Sequence, residues 1–300
     1  MDDIVDNYSN IAKKIDVLDI INRIKEFRKL DFKNLTDSDL HNAIYHVLCN
    51  DNQFIYFPTG YTYPLGTKFF RVRKLSNLVL PIKKLIAESS FWNPPPEIIK
   101  TYGSINKPHE SLLYTAQSAE TCIDEMNLSF NESFLLIKYE TKAEVKVNVI
   151  GGEINFDSIG IMDEKGKIIY EIYNNFLRDE FSKIVGGGTE FLYRISEKIA
   201  KNFFDLPAQK VQDAWGYPSI KNKKNLNIVF RPVIAKKLLE LKGGILCRLG
   251  KDKNIIVKAV THGFDMNGLP IYYPLGSSIH KDYFPEVQCD YENLSVKKHK

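Results

Sequence analysis

Few residues in this chain have the types and spacing that chemistry requires. Gly186-Gly187-Gly188-Thr189 precedes a stretch with Leu192, Ile195, Ile199 and Phe203 at helical spacing. A glycine-rich helix entry can present backbone amides to a phosphate, and glycine also serves such entries for purely conformational reasons. Glu125 lies seven residues after Ser118, two turns along one side of a short predicted helix. Arg71 and Arg73 alternate within Phe69-Phe70-Arg71-Val72-Arg73, which reads as a strand. Taken singly, each of these charges suits a solvated surface. The dinucleotide motif GxGxxG, the P-loop, HExxH and GxSxG are all absent, and no His or Cys residues show paired ligand spacing. Metalloprotease and P-loop chemistry are therefore excluded, and no metal site is expected.

The chain that must position these residues has 300 of them, 44% apolar and 26% charged, enough to bury a core. Lys and Arg number 41 against 37 Asp and Glu, a net charge of +4 that demands neither nucleic acid nor an anionic membrane. Direct nucleic-acid binding is not expected. Cys49, Cys122, Cys247 and Cys289 lie tens of residues apart without a CxxC pair, which suits a reducing cytoplasm better than a disulfide scaffold. Met1 to Asn10 lacks the features of a signal peptide. No apolar run reaches the roughly 18 to 20 residues that span a bilayer, so a membrane location is not expected.

The apolar positions Ile15, Leu18, Ile21, Ile24 and Phe27 recur at steps of three and predict one amphipathic helix over 11–30. Thr36-Asp37-Ser38-Asp39 caps a second helix running to about Asn50. Such a hairpin serves packing, or an interface through which a homodimer forms. Pro58, Gly60, Pro64 and Gly66 then mark a boundary, and Trp92-Asn93-Pro94-Pro95-Pro96 must be an ordered loop because three prolines remove amide donors. Leu112 to Ala116 predicts a strand, followed by the helix capped by Ser118. Alternation from Phe134 to Tyr173, including Ile159, Ile161, Ile168, Tyr170 and Ile172, predicts a β-rich middle. Beyond Ile234 come a short helix, strands at Gly244–Arg248 and Ile255–Val260, and an aromatic loop at Ile271-Tyr272-Tyr273-Pro274.

Four ordered blocks carry more than their parts. Phe70-Arg71-Val72-Arg73, Asn93-Pro94-Pro95-Pro96, Gly103-Ser104-Ile105-Asn106 and the run from Leu113 to Glu125 resemble the RES family, named for Arg, Glu and Ser. Trp215-Gly216-Tyr217-Pro218-Ser219 and Asn227-Ile228-Val229-Phe230 look like that family's serine-bearing turn and strand. The resemblance spans roughly Pro64 to Pro232 and implies an α/β (α+β) core of twisted sheets related to ADP-ribosyltransferases. It divides the chain into a helical extension over 1–60, a core over 64–235 and a β-rich extension over 236–300.

The resemblance also implies that NAD⁺ is consumed as substrate, with no separate cofactor. Many family members are bacterial toxins that destroy NAD⁺ by hydrolysis or phosphorolysis and pair with an antitoxin or immunity protein. Others ADP-ribosylate proteins. Carried over residue by residue, the family glutamate falls on Glu125, the pocket tyrosine on Tyr114 and the serine on Ser219. The family arginine falls on Ser104, whose hydroxyl cannot reproduce the bidentate fork that suits pyrophosphate. Lys107, Arg71 and Arg73 are the cations that could replace it, with Asn106 in the same turn. If none does, the chain is a non-catalytic nucleotide-binding or interaction module.

Cleaving the nicotinamide N-glycosidic bond develops oxocarbenium character on the ribose, which a fixed carboxylate such as Glu125 stabilises. Nicotinamide leaves as a neutral group, so no strong general acid is required. Tyr114 offers a ring for stacking and a hydroxyl for hydrogen bonding, and Ser219 either contacts the nicotinamide end or closes its own turn.

Overall fold

The computed structural model describes residues 2–56, 59–75, 87–156, 163–205, 211–221, 225–251 and 254–287. Its N-terminus forms two helices, α1 (Asp2–Lys14) and α2 (Val17–Phe27), rather than one. A step of three residues falls about 60° short of a full turn, so apolar positions spaced by three alone drift around the helix. Leu18 is accordingly 68% exposed, whereas Ile20, Ile24 and Phe27 are buried. Asp16 breaks the run and caps α2 by accepting a bond from Leu18 N at 2.9 Å. Helix α3 (Asp37–Leu48) begins at the predicted cap, where Thr36 and Asp39 form a reciprocal capping box.

A two-stranded ribbon of β1 (Cys49–Asn50) and β2 (Gln53–Phe54) turns through Asp51 and Asn52, both at positive φ. The remaining elements build one large sheet and its helical cover. In chain order they are β3 (Thr59–Tyr63), β4 (Lys68–Leu75), β5 (Leu113–Ala116), α4 (Ala119–Glu125), β6 (Ser133–Thr141) and β7 (Val145–Val149). Then follow α5 (Glu164–Phe181), α6 (Tyr193–Phe203), β8 (Ala214–Pro218), β9 (Leu226–Phe230) and α7 (Pro232–Leu238). The chain continues through β10 (Leu239–Leu249), β11 (Ile255–Phe264), β12 (Pro270–Tyr273) and α8 (Ser278–Tyr283). The ten strands run in the order β12-β11-β10-β6-β4-β5-β9-β8-β7-β3, antiparallel except for the β7–β8 pair. The architecture is thus mixed α/β, as expected.

Two predicted elements change type. The β-rich reading ends at Val149, because 164–181 is helix: Ile169, Tyr173, Phe176 and Tyr170, Leu177, Phe181 form a buried stripe at spacings of three, four and seven. The alternation of Ile168, Tyr170 and Ile172 was incidental to that stripe, and Ile168 is exposed. Ile159, Ile161 and Cys289 lie outside the described residues. The predicted loop at Ile271-Tyr272-Tyr273 is instead β12, paired to β11. The boundaries near residues 60 and 235 leave no break in the sheet, since β3 forms one edge and β10 to β12 the other.

Directly opposed residues in an antiparallel sheet share a face. Tyr114, Val229 and Trp215 form one such row, and Phe70, Ala116, Asn227 and Tyr217 another on the same face. Helices α1, α2, α3, α5 and α6 cover that front face at β5, β8 and β9, so the N-terminal hairpin spends its apolar stripe within the chain. Alongside, α4 and α8 cover β4, β6 and β10. The back face holds a separate core of Phe69, Phe91, Trp92, Leu135, Ile137 and Tyr139, closed by α7.

Candidate active site

Glu125 is the last residue of α4, and that helix is fixed at both ends. Ser118 caps it by accepting from Thr121 N at 3.2 Å. Cys122 points to the sheet, its thiol donating to Phe70 O at 3.0 Å and pushed up to about 12 in pKa by burial. The loop joining β8 to β9 is fastened to the same helix: Asn225 Nδ2 donates to Thr121 Oγ1 at 2.7 Å, and Leu226 N donates to Gln117 Oε1 at 3.0 Å. This fastening brings Ser219, immediately after β8, against Glu125.

Three donors converge on one carboxylate oxygen. Glu125 Oε1 accepts from Ser219 Oγ at 2.5 Å, from Ile220 N at 3.1 Å and from Asn227 Nδ2 at 3.3 Å. Ser219 Oγ in turn accepts from Lys221 N at 3.2 Å. Ser219 is 1% exposed and Glu125 half-buried. None of these bonds uses Oε2, so the orientation of the carboxylate is set through one oxygen while the other keeps its acceptor capacity among the described residues.

Tyrosines wall the site. Tyr114 OH donates to Asn106 Oδ1 at 2.8 Å and accepts from Ile105 N at 3.0 Å, locking the 103–106 turn onto β5. Gly103 suits that place, since a Cβ would stand 2.4 Å from Asn106 Oδ1 and would push it off its bond with Tyr114. Tyr193 and Tyr217 both stand beside Ser104 in that turn. Burial pushes the phenols of Tyr114, Tyr193 and Tyr217 upward, and the charge of Glu125 adds to the rise at Tyr193 and Tyr217. All three therefore remain neutral hydrogen-bonding groups across the physiological range.

Glu125, Ser219, Tyr114, Ser104 and Asn106 thus gather on the front face. Arg71 and Arg73 do not join them. Both oppose residues of the back core, Ile137 and Leu135, and their guanidinium groups bond to Trp92 O and Ser90 O. They pin the loop before the three prolines. Lys107 is exposed, and its backbone N–H donates to Glu110 Oε2 at 3.2 Å. Two amides of the glycine run are engaged within the run's own turn: Gly186 N bonds Thr189 Oγ1 at 2.9 Å, and Gly188 N bonds Glu190 Oε2 at 2.8 Å.

Sequence reasoning passed over Tyr193, Tyr217 and Asn227 as site residues. Tyr217 was legible in principle, since it shares the parity of Ser219 at the end of a strand. Asn227 was the one polar residue in an otherwise apolar run. Nothing local marks Tyr193, which reaches the site only because α6 packs over β8.

Among the described residues, no group of three or more His, Cys, Asp or Glu side chains is placed to hold a metal ion, and no helix is long and apolar enough to cross a membrane. Fold and site together define a mixed α/β chain with a fixed carboxylate, donor-saturated on one oxygen, with tyrosines nearby. No family model, curated protein or solved structure matches the chain.

Proposed function

We propose that the chain is an NAD⁺-degrading enzyme, a toxin-like glycohydrolase or phosphorylase built on an RES-type core. The observation that carries this reading is the bond between Ser219 and Glu125, which unites two residues 94 positions apart that the family resemblance had separately marked. Tyr114 and the turn bearing Ser104 lie in the same wall, in keeping with a site for one ligand.

In this reading the C–N bond between ribose and nicotinamide breaks heterolytically. Its electron pair passes to the pyridinium nitrogen, and nicotinamide leaves uncharged. Glu125, oriented through Oε1, stabilises the oxocarbenium charge or holds the ribose hydroxyls with Oε2. The tyrosine rings exclude water from the reacting bond and offer faces for stacking. Water or inorganic phosphate then adds to the anomeric carbon, and the nucleophile's proton passes to solvent.

Product chromatography after incubating the purified chain with NAD⁺, with and without phosphate, tests this function. Free ADP-ribose identifies a glycohydrolase, its phosphorylated form a phosphorylase, and labelled ADP-ribose on a protein an ADP-ribosyltransferase. A second reading, a nucleotide-binding module without turnover, draws on one observation: the position of the family arginine is Ser104, set beside two tyrosines. Calorimetric NAD⁺ binding with no product is its signature.

A further inference from the structure

A dinucleotide brings a diphosphate, and the site walls formed by Ser104, Tyr114, Tyr193, Tyr217 and Glu125 supply no positive charge to meet it. Besides Lys221, two residues after Ser219, cations stand on the neighbouring helix. Arg194 directly follows Tyr193 on α6 and lies beside Tyr102, two residues before Ser104. Lys198 lies one turn further along the same side, and Lys201 bonds Glu110 at 2.5 Å where the 103–110 segment ends. Helix α6 therefore runs along that segment, tied to it by Lys201–Glu110, with Tyr193 beside Ser104 and Arg194 beside Tyr102.

At present Arg194 and Lys198 share one carboxylate. Asp37 accepts from Arg194 Nη2 at 2.8 Å and lies 3.6 Å from Lys198 Nζ, while Arg194 also bonds Leu35 O at 3.0 Å. Arg194 is 15% and Lys198 16% exposed in their side chains, whereas Asp37 is 66% exposed. Asp37 is not the cap of its own helix, since the capping box of α3 uses Thr36 and Asp39. An exposed carboxylate bound to two half-buried cations can be exchanged for a better anion. The two oxygen-rich groups of a diphosphate match a guanidinium fork with an ammonium beside it.

We propose that Arg194 and Lys198 form the anion-binding side of this site and take the diphosphate of a dinucleotide in exchange for Asp37. The proposal rests on the NAD⁺ reading and adds residues that the sequence pattern did not mark. It also gives the N-terminal segment 32–37 a role, as the internal competitor for substrate.

Steady-state NAD⁺ turnover and calorimetric binding of inorganic pyrophosphate, both on the full chain, test it with Asp37→Asn, Arg194→Gln and Arg194→Lys. Asp37→Asn is expected to lower KM for NAD⁺ roughly twofold to fivefold and to tighten pyrophosphate binding alike, the scale of one partly exposed ion pair. Arg194→Gln is expected to raise KM about tenfold or more with kcat little changed, and Arg194→Lys to recover part of that loss. The gain in Asp37→Asn guards against misfolding as the cause of losses elsewhere. Glu125-dependent turnover with KM unmoved in all three variants overturns this inference and leaves the NAD⁺ reading standing. In a chain without turnover, pyrophosphate binding that strengthens in Asp37→Asn and fails in Arg194→Gln supports the anion site. No pyrophosphate binding by either wild type or Asp37→Asn overturns it.

Discussion

Ser219 Oγ stands 2.5 Å from Glu125 Oε1, a contact between the end of β8 and the end of α4 across 94 residues of sequence. A serine hydroxyl donating to a carboxylate fixes the plane of that carboxylate, and a fixed plane is what stabilising a developing ribosyl cation requires.

Ser219→Ala removes that donor and leaves Oε1 with Ile220 N and Asn227 Nδ2. Charge-assisted hydrogen bonds of this kind contribute about 1.5 to 3 kcal/mol, so urea unfolding should show a loss on that scale. NAD⁺ turnover should fall by on the order of a hundredfold, because misplacing a catalytic group by an ångström has that effect. Unchanged kinetics in a folded Ser219→Ala variant would reduce the serine to a loop-closing residue.

Tyr114→Phe keeps the ring and deletes one hydroxyl that serves two partners. Asn106 Oδ1 loses its donor and Ile105 N its acceptor, each in a buried turn. Destabilisation of about 1 to 3 kcal/mol is expected by denaturant titration, with faster amide exchange at Ile105.

Ser104→Arg introduces the arginine that the RES pattern, which this segment resembles, carries at that place. Here the serine stands between Tyr193 and Tyr217, and in the adjoining turn a Cβ at Gly103 would already press on the Asn106 side chain. Overpacking should destabilise the chain by about 1 to 3 kcal/mol, and activity should fall. A gain in NAD⁺ turnover would show instead that the site lacks its cation.

Glu180 tests the pH behaviour of the helical cover. Its side chain is 0% exposed, it pairs with Lys183, and its Oε1 has no hydrogen-bond partner. Burial raises its pKa above the usual carboxylate range, with Lys183 opposing the rise. A carboxyl whose pKa is higher folded than unfolded favours the folded state below the unfolded pKa, and that contribution is lost as pH rises through the folded value. Glu180→Gln is therefore expected to be more stable than wild type at pH 7, by about 1 kcal/mol. The advantage should vanish as pH falls to about 4, near the unfolded glutamate pKa. Urea titrations at the two pH values measure it.

The legible parts of the fold were those with local physical signals. Thr36 and Ser118 were read as caps because a hydroxyl before an apolar periodic run has few other uses, and both accept the expected amide. The two N-terminal helices were fused because steps of three were counted without the drift they imply. Helix α5 was misread because Ile168, Tyr170 and Ile172 also satisfy a period of two over five residues, and only the longer stripe through Phe181 separates the periods. Within the site, the carboxylate and the hydroxyls could be named in advance. The face of the sheet could not, and it removed Arg71 and Arg73 while admitting Tyr193, whose contact depends on the docking of α6.

NAD⁺ loss catalysed by the purified chain, wild type beside Glu125→Ala, tests the proposed function most directly. The geometry predicts nicotinamide release by wild type and a fall of about a hundredfold or more in Glu125→Ala, with the circular dichroism spectrum retained. Equal rates in the two proteins, or NAD⁺ left intact by a folded wild-type chain with and without phosphate, would contradict it.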